Sequence, residues 1–107
     1  MKIYGIPSSS DRFAAFEIDN GRIGRRGACR VVRSIPGAML LKEPVLLSWF
    51  REDVFCKFQV GNQLFEIEEP FGDNSRYWVG PAGVGTNGKL LEWTPEIELV
   101  RRAFEQA

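Results

Sequence analysis

Apolar and polar residues alternate on both sides of Gly61-Asn62, and the alternation sets its own register. The upstream run reads Val54-Phe55-Cys56-Lys57-Phe58-Gln59-Val60 and the downstream run Gln63-Leu64-Phe65-Glu66-Ile67-Glu68. Folded as a two-residue hairpin, Val60 faces Gln63, Phe58 faces Phe65 and Cys56 faces Ile67. Lys57 faces Glu66 on the other side of the ribbon. One apolar face and one face with a matched charge pair describe a half-buried antiparallel sheet. A slip of one residue would set Phe58 against Glu66 and lose both matches.

Two further turn signals, Asn20-Gly21 and Asn87-Gly88, punctuate the chain. The first sets Ile18 opposite Ile23, with Asp19 and Arg22 flanking the turn. It predicts a hairpin with arms Arg12–Asp19 and Arg22 to about Ser34, irregular at Gly24 and Gly27, since glycine inside a strand often marks a bulge. Ser8 to Asp11 reads as a loop. Ala38–Lys42 and Val45–Phe50 are apolar runs on either side of Pro44. The first is read as a strand and the second as a short helical or irregular segment, with a buried strand as the alternative. Arg76–Val79 is another strand, after a loop from Pro70 to Ser75.

The end of the chain carries the clearest helix signal. Thr94 can cap, Pro95 suits the first helical position, and Glu96 complements the positive end of the dipole. Ile97, Val100 and Phe104 fall on one face, widened by Leu99 and Ala103, and Glu98 precedes Arg102 by four residues. A helix of about twelve residues is marginal alone, so its apolar face must dock. The expectation is a small α+β domain: a mostly antiparallel sheet, open or curled towards a barrel, with the C-terminal helix on one face.

The chain has 107 residues, 44% of them hydrophobic, enough for one domain with a modest core. It has no run of about 18 apolar residues that would span a bilayer, and its first residues do not read as a signal peptide. Cys29 and Cys56 lie in apolar runs and read as buried free thiols, or as one bridge if their strands are neighbours. The expected compartment is the cytoplasm. Formal net charge is zero, yet residues 1–57 hold ten Lys/Arg against six Asp/Glu, and residues 58–107 hold four against eight. That split argues against coating nucleic acid with the whole surface and leaves room for one basic face.

Candidate chemistry is sparse. Gly83-Val84-Gly85-Thr86-Asn87-Gly88-Lys89 satisfies two phosphate-loop patterns. Leu90 stands where a P-loop needs Ser or Thr, however, and no helix follows directly, so a hairpin loop is the better reading. The chain has no histidine, which removes the usual general base and every Ser-His-Asp or Cys-His pairing. No cysteine pair has zinc-ligand spacing, and Asp73-Asn74-Ser75 lacks calcium-loop spacing. Glu66 and Glu68 share a strand face, but Lys57 is offered to Glu66. Catalysis and cofactors are therefore not expected.

The positive signal is arginine. Arg22, Arg25, Arg26, Arg30 and Arg33 fall within twelve residues with no acid among them. Guanidinium groups bind carboxylate and phosphate bidentately and stack on aromatics. In the strand Arg76–Val79, Trp78 points away from Tyr77 and Val79, towards the uncovered face of the sheet. Trp or Tyr beside Arg is typical of protein hot spots and of base-stacking platforms. The aromatic signatures of four-stranded RNA-recognition domains are missing. These features predict a non-catalytic interaction module, a stoichiometric inhibitor or immunity-type protein for an acidic partner, binding through Arg22, Arg25, Arg26, Arg30, Arg33 and Trp78. The alternative is a small β domain that binds RNA or DNA through the arginine-rich hairpin.

Overall fold

The computed structural model describes residues 1–7, 13–19, 21, 23–42, 54–69, 76–82 and 93–107. Among these residues are six strands: β1 (Ile3–Pro7), β2 (Phe13–Asp19), β3 (Ala38–Lys42), β4 (Val54–Val60), β5 (Gln63–Glu68) and β6 (Arg76–Pro81). The helices among the described residues are α1 (Gly24–Arg33) and α2 (Pro95–Gln106). The strands form one sheet in the order β1-β2-β6-β5-β4-β3, antiparallel throughout. The sheet is not closed: β1 and β3 are its two edges. The α+β architecture with a docked C-terminal helix is the one the sequence predicts.

The β4–β5 hairpin has the predicted register. Val60 pairs with Gln63, Phe58 with Phe65, Lys57 with Glu66 and Cys56 with Ile67. Gly61 takes φ +60°, as the turn requires. Phe58 and Phe65 stack with centroids 5.4 Å apart. A bulge between Val54 and Cys56 adds one residue, and Phe55 is buried there at 2% exposure.

The first predicted hairpin is wrong. Residues 24–33 are a helix, and Ile18 pairs with Ile3 and Tyr77 rather than with Ile23. The partner of β2 is β1, formed by the first residues of the chain, which carried no strand prediction. Val31-Val32 and the internal glycines resemble a bulged strand, but tertiary packing decides otherwise. Ala28, Cys29 and Val32 are buried at helical spacing, and Ile35 continues the stripe. Arg30 and Arg33 in the last turn complement the helix dipole. Gly24 enters the helix at φ +65°, a conformation that favours glycine.

The C-terminal helix forms as expected. The Thr94 hydroxyl accepts the Ile97 amide at 3.4 Å, and Pro95 opens the helix. Glu98, however, pairs with Arg101 rather than Arg102. Leu99 faces outward at 41% exposure, whereas Ala103 packs against the core. Val45–Phe50, the loops 8–11 and 70–75, and the glycine-rich segment with Asn87-Gly88 lie outside the described residues.

Both helices lie on one face of the sheet. α1 packs on β3 and β4, α2 on β1 and β2, and the helices touch each other. Phe16, Ile18, Phe58, Phe65, Ile67 and Val79 from the sheet meet Ile97, Val100 and Phe104 from α2. Cys29 and Cys56 are buried in this layer and are not joined in a disulfide.

On the other face, the indole of Trp78 covers Gly80. A Cβ at Gly80 would stand 2.6 Å from the ring of Trp78 and 2.8 Å from the Ala15 methyl. Gly80→Ala is therefore expected to cost about 1–2 kcal/mol, since Ala15 cannot swing away as the ring can. Urea unfolding checks this, and a stabilised variant would show that the indole does not sit there.

Candidate functional site

A helix turns about 100° per residue, so positions i, i+4 and i+7 share a face. Arg26, Arg30 and Arg33 are so spaced, and all three are exposed on the outer side of α1. Their Cα positions step along the axis by roughly 6 and 4.5 Å. The inner side is taken by Ala28, Cys29 and Val32. Among the described residues, no carboxylate pairs with Arg26 or Arg30. Arg102 on α2 is exposed in the same helix layer.

Arg25 is different. It points inward at 16% side-chain exposure and donates to Glu69 Oε1 through Nη2 at 2.6 Å and Nε at 3.2 Å. Its guanidinium also lies 4.8 Å from the Phe55 ring centroid. Phe55 in turn meets Tyr77 edge-on at 4.8 Å. Burial, and then the Glu69 charge, hold the Tyr77 hydroxyl above its usual range, with Arg25 acting the other way. This cluster ties α1 to the end of β5. Arg25 belongs to the framework, not to the outer stripe.

Trp78 is on the opposite side of the molecule. In the sheet it sits between Glu17 and Glu68. The same face holds Arg76, stacked 3.6 Å over the Tyr4 ring and near Glu17 at 3.6 Å and Asp19 at 3.9 Å. The Tyr4 hydroxyl donates to Asp19 at 3.1 Å. These aromatic, cationic and anionic groups satisfy one another across β1, β2 and β6. Further along, Met39 and Leu64 flank Gln59 and are 61% and 49% exposed.

The sequence-predicted set is therefore divided. Arg26, Arg30 and Arg33 come together, Arg25 is internal, and Trp78 lies across the sheet from them. Arg22 lies outside the described residues. The two faces also differ in charge. Exposed guanidinium groups crown the helix layer, while Glu17, Glu66 and Glu68 stand on the other face of the sheet. The acids on the outer part of α2 are engaged locally. Trp93 donates to Glu98 at 2.9 Å, and Arg101 bridges Glu98 and Glu105. Hydrogen bonds from Trp93 and then Arg101 hold the Glu98 carboxyl below the usual range.

Sequence reasoning missed Lys2 and Tyr4 because it assigned β1 no strand. The signal that could have located the stripe is the spacing of Ala28, Cys29, Val32 and Ile35, which reads as one helix face. Among the described residues, no group of three or more Cys, Asp or Glu is placed to hold a metal ion. None of their helices is long and apolar enough to cross a membrane. Comparison with known proteins returns no matching family model, no matching curated sequence and no matching solved structure.

Proposed function

We propose that this protein is a non-catalytic cytoplasmic module that binds an acidic partner protein through the outer face of α1. The observation that carries this reading is the row Arg26, Arg30, Arg33: exposed, on one helix face, with Arg26 and Arg30 unpaired among the described residues. A rigid helix holds the forks in fixed relative positions, which suits a set of carboxylates on a folded surface. The role that fits is stoichiometric inhibition or immunity, in which a small domain covers an acidic site.

Nucleic-acid binding is the second reading, because phosphates would meet the same guanidinium groups. The glutamates on the opposite face limit the cationic surface to one side, as a short footprint requires.

The test uses the purified protein as bait in an extract of its native cell. Recovery of one stoichiometric acidic protein is expected. Its affinity should fall at least tenfold in the triple variant Arg26→Ala, Arg30→Ala, Arg33→Ala, and should weaken as salt rises. Fluorescence anisotropy with a 20-nucleotide RNA and DNA completes the comparison. A steep salt slope there, with no protein recovered, moves the assignment to nucleic acid. A partner that binds the triple variant as tightly as the parent removes α1 from the account.

A further inference from the structure

We draw no further inference here: the strongest candidate, the surface patch at the β3 edge of the sheet where Met39, Leu41 and Leu64 are exposed, carries nothing because nothing in the structure shows what covers it.

Discussion

Phe104→Ala is expected to cost about 3–5 kcal/mol, a large share of the roughly 5–15 kcal/mol that holds a domain of this size together. Phe104 is fully buried and meets Phe16 edge-on, with centroids 5.6 Å apart and planes at 63°. It is the last of three α2 residues, with Ile97 and Val100, that enter the core. Truncation removes the transfer free energy of the ring and leaves a cavity. Phe16 lies in the β2 strand backbone and cannot collapse into that space. The helix has little stability of its own to offset the loss, since about twelve residues are marginal in water. Urea unfolding should show a lower midpoint with a similar slope. Phe104→Leu should recover about half of the loss. A cost below about 1 kcal/mol for the alanine variant would mean that α2 does not dock through this ring.

Arg25→Ala is expected to cost about 2–3 kcal/mol, less than breaking a fully enclosed pair. The discount comes from exposure: the side chains of Arg25 and Glu69 are 16% and 22% accessible. The loss includes the two hydrogen bonds to Glu69 Oε1 and the stacking on Phe55. Arg25→Lys should not restore it, because an ammonium group can neither fork nor stack in the same way. A double-mutant cycle with Glu69→Gln should give a coupling of about 1–2 kcal/mol. Tyr77 provides an independent readout. Arg25 lowers the Tyr77 pKa while Glu69 raises it, so removing the guanidinium should move the phenol titration to still higher pH. Additive single variants, or a phenol titration moving downward, would refute the proposed geometry.

These two residues illustrate what was legible. Phe104 lay on a helix whose cap, first-turn proline and apolar spacing are written in consecutive residues, and the structure places it in the core. Likewise the β4–β5 register followed from local alternation alone. Arg25 groups with its neighbours as a binding residue only while residues 22–34 read as a strand arm. In a strand, Arg26 and Arg30 share one face while Arg25 and Arg33 share the other. In the helix, Arg33 joins Arg26 and Arg30, and Arg25 swings towards the core. The same composition thus gives a different site once the period changes from 2 to 3.6. Trp78 was expected on the face away from Tyr77, and it is there. Its proximity to the arginines was a separate matter, because the helix carries them to the other side of the sheet.

The chain alone determined the features that depend on near neighbours: the two-residue turn at Gly61-Asn62, the pairing across it, the terminal helix and its buried edge. Local sterics, turn chemistry and side-chain period are sufficient for these. Packing between distant segments decided the rest. It paired β1 with β2 and β2 with β6, made residues 24–33 helical against their valines, and sent one arginine inward to Glu69 while its neighbours faced water. Short-range preference in that stretch is nearly balanced, so the free energy of burying Ala28, Cys29 and Val32 against the sheet settles its conformation.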